Sequence, residues 1–285
     1  MKKATFTLLT VIFALQSFVV TAQTDNYKKG LEAMQANRYH EALVCFTKVV
    51  ENEKFEISGK DLSQAYAYLA VIRTAYLEKD LNNVKFSNII AKQGQIHQTI
   101  QEMVRASKFQ DGNTKSMINE SKKTLVEVSS HALKVIGDSL MTYDENQPNE
   151  TTNFLANFAI KQFGELENIA VDNWELHDIL GLAHFYLGEN PKAMSEFKKG
   201  RDQFSKLTEQ PISPLHLKNF VLSANYYFKI ANDLKETQNV CKQGSSYTSV
   251  LINNLDDSEM NEILRLNKIE NRFRSYMTRI KDSSN

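Results

Sequence analysis

Six histidines and two cysteines are the residues most able to bind metal or act as nucleophiles. His40-Glu41 begins like a zinc-helix signature but lacks the second His four residues on. His177 and His184 lie two turns apart, so one helical face could offer both imidazoles to a cation. The same two positions face a partner helix, and a packed-core role is the preferred reading. His97, His131 and His216 stand without companions. Cys45 and Cys241 are too far apart for a Cys-x-x-Cys redox or zinc motif. Asp256-Asp257 and Glu165 with Glu167 are spaced as acid–base pairs. They sit in polar stretches near helix ends and read as solvated charge. No Gly-rich phosphate loop and no Gly-x-Ser-x-Gly elbow occurs. The expectation is a protein with no catalytic residues, no metal and no cofactor.

The elements that hold these residues read as helices throughout. There are 4 prolines and 10 glycines, and Pro148, Pro191, Pro211 and Pro214 all fall where helices would begin or end. Apolar residues step by three and four along Leu125, Val128, Ala132, Val135/Ile136 and Leu140. Leu155, Phe158/Ala159, Phe163, Leu166 and Ala170 do the same, as do Ile263, Leu266, Ile269, Phe273, Tyr276/Met277 and Ile280. Each series is one stripe that must be buried against a neighbour. The spacing predicts about eleven helices, near 24–36, 39–53, 61–79, 81–108, 113–143, 150–170, 173–187, 190–207, 214–232, 234–251 and 257–282. The turn Gln110-Asp111-Gly112-Asn113 should join two long ones.

The chain also matches itself. Gly30, Ala42 and Phe46 recur at one constant displacement as Gly181, Ala193 and Phe197, and the turn at 36–39 recurs at 187–190. Leu180-Gly181, Gly188, Ala193 and Phe197 resemble a tetratricopeptide repeat, as do Gly30, Tyr39-x-Glu41-Ala42 and Phe46. The resemblance is clear over 24–52 and 174–207. A weaker third unit spans 215–250, where Ala224, Leu234, Thr237, Cys241 and Gly244 fit if the turn holds one extra residue. Residues 61–170 depart from the pattern: Arg73 stands where a small residue is expected, and the helices are too long. The expected fold is an all-α, tetratricopeptide-like solenoid of helical hairpins, with an irregular long-helix middle and a C-terminal capping helix. In such hairpins Gly30 and Gly181 would mark the closest helix approach, with Ala42 and Ala193 opposite and Phe46 and Phe197 filling the wedge. Asn37 and Gly188 would take the left-handed conformation that ends the first helix. Asn190 would cap the second helix, with Pro191 in its first turn.

The resemblance implies a concave surface lined by first helices. It would show Tyr27, Leu31, Met34 and Gln35 on one hairpin and Asp178, Leu182, Phe185 and Tyr186 on another. Relatives that clamp a C-terminal carboxylate use Lys and Asn there, and these two hairpins have neither. An apolar, aromatic groove suits a hydrophobic segment or helix of a protein partner. The competing reading is that neighbouring helices cover these side chains. If the groove binds, Phe185→Ala with Tyr186→Ala should abolish capture. The last helix carries Arg265, Lys268, Arg272, Arg274, Arg279 and Lys281 opposite its apolar stripe. A solubilising cap is favoured over membrane contact, because Glu259, Glu262 and Glu270 blunt the charge. Trp174, the only tryptophan, reads as a packing anchor.

Met1-Lys2-Lys3, an uncharged run from Ala4 to Ala22 and the ending Val20-Thr21-Ala22 have the three parts of a secretory signal peptide. Cleavage is expected after Ala22, leaving residues 23–285 as one domain exported to a periplasm or the medium. Removing Lys2 and Lys3 from a balance of 34 basic and 34 acidic residues leaves −2. Near-neutrality gives no electrostatic reason to expect nucleic acid. In an oxidising compartment Cys45 and Cys241 could pair; an open solenoid would keep them apart as two buried thiols. The functional expectation is an extracytoplasmic adaptor that binds another protein without chemistry. The alternatives are a structural subunit of an envelope or secretion assembly, or a small-molecule or glycan-binding protein or enzyme with a pocket in the middle region around 81–143.

Overall fold

The computed structural model describes residues 25–51, 59–81, 85–108, 114–144, 147–170, 172–207 and 212–283. The expected signal peptide and the 110–113 turn lie outside them. Every regular element among the described residues is helical. In chain order these are α1 (25–35), α2 (Tyr39–Glu51), α3 (Gly59–Leu81), α4 (Phe86–Ala91), α5 (Gln93–Lys108) and α6 (Lys115–Met141). There follow α7 (Glu150–Phe163), α8 (Trp174–Tyr186), α9 (Asn190–Phe204), α10 (Pro214–Lys229), α11 (Leu234–Asn253) and α12 (Met260–Ser283). No described helix is long and apolar enough to cross a membrane.

The chain divides into two compact units. One runs to Ala132 and includes Glu165–Ala170; the other comprises Leu133–Gly164 and Val171–Asn285.

In the first unit, α1 and α2 form a hairpin that α3 covers. A Cβ on Gly30 would lie 2.7 Å from Cε1 of Phe46, so the bare glycine is what lets that ring lie against α1. Phe46 and Ala42 are fully buried with Leu69 of α3. Asn37 takes φ 56° in the turn, where its own amide donates to Met34 O at 3.0 Å and the next amide, from Arg38, donates to Ala33 O at 2.8 Å. These two bonds form a Schellman motif, which satisfies carbonyls left over at the helix end. α3 then packs on α5, and here Arg73 replaces the small residue of the repeats. Its Nε reaches Glu102 Oε2 at 2.9 Å, while Arg105 donates to Tyr66 OH at 2.8 Å and lies over that ring. A part-buried set of polar contacts thus joins two helices that elsewhere would be joined by Gly and Ala. The single helix expected over 81–108 is two, α4 and α5, broken at Lys92. Lys92 Nζ is tied back to Asp80 at 2.8 Å. Two residues on, Gly94 brings no side chain to brace the joint, and a Cβ added there would have nothing within 4 Å.

In the second unit, α8 and α9 repeat the hairpin. A Cβ on Gly181 would fall 2.5 Å from Phe197 Cε1. Gly188 takes φ 73°, its amide donates to Phe185 O, and the Glu189 amide donates to His184 O, both at 2.9 Å. The bonding matches the first hairpin atom for atom. The third hairpin, α10–α11, carries the extra turn residue. Asn232 is left-handed at φ 51°, and the next amide, Asp233, reaches back six residues to Tyr227 O rather than five. Asn190 does not cap α9: Glu189 holds that position, and its carboxylate instead meets His184 and Lys192. The helix expected over 150–170 ends as an α-helix at Phe163 and continues as a 3-10 turn over Gly164–Asn168. α12 packs on α10 and α11, with Phe273 fully buried against Gly244, Cys241 and Phe220. Both cysteines are free and buried, and burial pushes the Cys241 thiol up to about 12, so it acts as a small apolar side chain.

Candidate functional site

Most of the expected groove residues face inward. Tyr27 is buried edge-on to Phe46 and donates to Gln64 Oε1 of α3. Leu31 and Met34 are half-buried in the same cluster. α3 therefore fills the face that α1 was expected to offer a partner. Leu182 is fully buried. Tyr186 is buried too, and its hydroxyl lies 3.0 and 2.9 Å from the carbonyls of Leu140 and Tyr143, where it satisfies the end of α6. Tyr27, Leu182 and Tyr186 thus hold the protein together and offer little surface. Of the α8 residues expected in the groove, only Phe185 stays half-exposed.

Asp178 is the largest departure. Its carboxylate is fully buried and lies 2.5 Å from Nδ1 of His216, also fully buried. The rings of Trp174, Phe204, Phe220 and Tyr247 surround that imidazole at centroid distances of 4.3 to 6.1 Å. His216 thus has a companion after all, supplied from 38 residues away by α8. Gly200 makes the room: a Cβ there would fall 2.5 Å from Asp178 Oδ1. The pair has no route to solvent and serves to lock α8 to α10. His177, expected as a packed residue, is buried with Nδ1 2.7 Å from Glu196 Oε2. Burial raises the Glu196 carboxyl, but His177 and Lys199 outweigh it and hold the group below its usual range. Asp256 accepts from the Ser258 amide and forms a capping box with Glu259 at the entry to α12.

The surface open to a partner lies further along the second unit. α8, α10 and α12 together line a cleft of about 300 Å³. Val221 and Leu222 lie almost wholly buried beneath it, and Phe185 is the one half-exposed apolar side chain in its lining from α8 and α10. Asn225 also lines it and accepts at 2.9 Å from the Tyr276 hydroxyl. Lys229, Arg272 and Arg279 are exposed at its edges, and no carboxylate lines it. Burial pushes the Tyr276 hydroxyl up, and the positive charges of Arg279 and Arg272 partly offset this. The positions follow from helix spacing. Asn225 and Lys229 are one turn apart on α10, and Arg272, Tyr276 and Arg279 step by four and three along α12.

This cleft shares only Phe185 with the apolar groove expected from the first helices of the two clear hairpins. Sequence reasoning passed over Asn225 because it sits in the degenerate third unit, and it assigned Arg272 and Arg279 to a solubilising face. The available signal was the Asn-x-x-x-Lys pair at 225 and 229, on a first helix of a hairpin.

No protein-family model matches the chain. No curated protein matches it either. Among solved structures, the chain is similar to residues 1–338 of the assembly chaperone of RpL4 (Acl4). The alignment covers 93% of this chain and 86% of that one, at 12% identity and a TM-score of 0.41.

Proposed function

We propose that the protein is a non-catalytic binding module that holds an acidic, extended segment of another protein in the α8–α10–α12 cleft. We place it outside the cytoplasm, on the strength of the basic, apolar and small-residue succession over residues 1–22. The observation that carries the binding reading is the convergence of Lys229, Arg272 and Arg279 on one cleft with no carboxylate in the lining. Cations at the edge select a negative partner and speed encounter, while burial against the half-exposed Phe185 adds to affinity. Asn225 and Tyr276 can exchange hydrogen bonds with an extended main chain.

The test uses short fluorescein-labelled peptides of Glu and Ser with one Leu, beside Lys-for-Glu counterparts, read by anisotropy. The acidic peptide should bind, and raising salt should weaken it steeply. The paired change Arg272→Glu with Arg279→Glu should cost roughly tenfold or more in affinity. Equal binding of both peptides, or no response to that change, would overturn the proposal. Phe185→Ala is a sound probe of the cleft; Tyr186→Ala is not, because that side chain is buried and holds the end of α6.

A further inference from the structure

We propose that the outer face of α12 pairs antiparallel with α12 of a second copy of this chain. The face is read from helix periodicity. Met260, Leu264, Asn267, Asn271, Arg274, Thr278 and Lys281 recur at intervals of three and four, and all are exposed. They lie away from the buried stripe of Leu266, Phe273 and Ile280 and beside the cleft residues Arg272 and Arg279.

The two ends of this face complement each other. At the N-terminal end Met260 and Leu264 are 52% and 53% exposed, flanked by Asp256, Glu259 and Glu262, the last paired with Arg265. At the C-terminal end α11 and α12 line a second, open cleft of about 450 Å³, with Met277 half-exposed in it over the fully buried Cys241 and Phe273. Lys242, Lys281 and Arg274 line it with them, Arg274 being paired with Glu270 at 3.1 Å. One end exposes Met260 and Leu264 in a net acidic surround; the other offers Met277 in a hollow with a net basic rim. A parallel pairing would set like charge on like. An antiparallel pairing centred on Asn271 lays Met260 and Leu264 of each copy over the hollow of the other, with Glu259 beside the partner's basic rim. Leu264 and Thr278 are equidistant from Asn271, as the two-fold symmetry requires. α12 is 24 residues long, about 36 Å, which is ample for such a seam.

The experiment is sedimentation equilibrium of the purified protein over a concentration series, at low salt and at 1 M salt, where the screening length falls to about 3 Å. A monomer–dimer equilibrium that weakens in salt is expected. Glu259→Lys and Lys281→Glu should each shift the chain toward monomer by tenfold or more, and the two together should restore the dimer. Orientation is read separately by oxidation: Asn271→Cys should give a disulfide-linked dimer and Leu264→Cys should not. All four positions are exposed, and far-ultraviolet circular dichroism checks that each variant is folded. A monomer at every concentration overturns the proposal. So does a dimer indifferent to both single changes, or crosslinking through Leu264→Cys. None of these outcomes touches the acidic-segment reading of the α8–α10–α12 cleft.

Discussion

Gly181→Ala is the sharpest test of how the hairpins close. In an exposed helix this change stabilises by about 0.5–1 kcal/mol, because glycine loses more backbone freedom on folding. At position 181 the new Cβ would lie 2.5 Å from Cε1 of Phe197, whose ring is fully buried and cannot swing away. Either the ring leaves its rotamer or α8 and α9 separate, at about 1–3 kcal/mol. The clash outweighs the propensity, so a net loss of about 1–2 kcal/mol is expected. Gly94→Ala is the internal control: it also lies in a helix, with nothing within 4 Å of the added carbon, and should stabilise. Urea unfolding followed by circular dichroism gives both values. A double-mutant cycle with Phe197→Leu then isolates the clash, because a smaller side chain opposite residue 181 should recover about 1 kcal/mol or more. If Gly181→Ala proves as stable as Gly94→Ala, the close approach of ring to glycine is not what shapes the hairpin.

Three further outcomes follow from the same geometry. Asn37→Gly should be neutral or stabilising and Asn37→Ala should cost about 1 kcal/mol in urea unfolding, since the residue sits at φ 56°. Asp178→Ala should cost about 2–4 kcal/mol by stranding the buried His216, and adding His216→Phe should recover part of that loss, as a cycle of urea midpoints would show. Glu102 is pushed by burial from 4.5 up to about 7, against the opposing pull of Arg73. Its folded form therefore binds the proton more tightly than the unfolded chain does. That contribution is complete below pH 4.5 and is lost as pH rises through 7, so urea stability should fall across this window and Glu102→Gln should flatten the fall.

Where local chemistry decides conformation, the residues could be read directly. Asn37 and Gly188 end their helices in the left-handed region because turn geometry at that point leaves few other residue types. The extra residue in the third turn was visible as a one-place slip in the repeat, and Asn232 absorbs it. The break at Lys92 was not visible, because a helix-compatible sequence crosses it, and the tie to Asp80 joins residues in different elements.

The groove shows the limit more sharply. The family resemblance put Tyr27 on the groove side of α1 and Asp178, Leu182 and Tyr186 on that of α8. Whether such a face meets solvent or another helix depends on what packs across it, and no local pattern carries that information. α3 covers Tyr27, and the end of α6 receives Tyr186. His216 looked solitary because its partner, Asp178, lies 38 residues earlier in the chain. The basic cleft arose the same way: Asn225, Lys229, Arg272 and Arg279 belong to two helices with α11 between them in sequence, and only the packing of α12 on α10 brings them together. The sequence by itself determined the helices, their hairpin turns and the Gly–Phe contacts, all set by interactions within a few turns of chain. Tertiary structure decided which faces remained open, because burial is a property of neighbours that are distant along the chain.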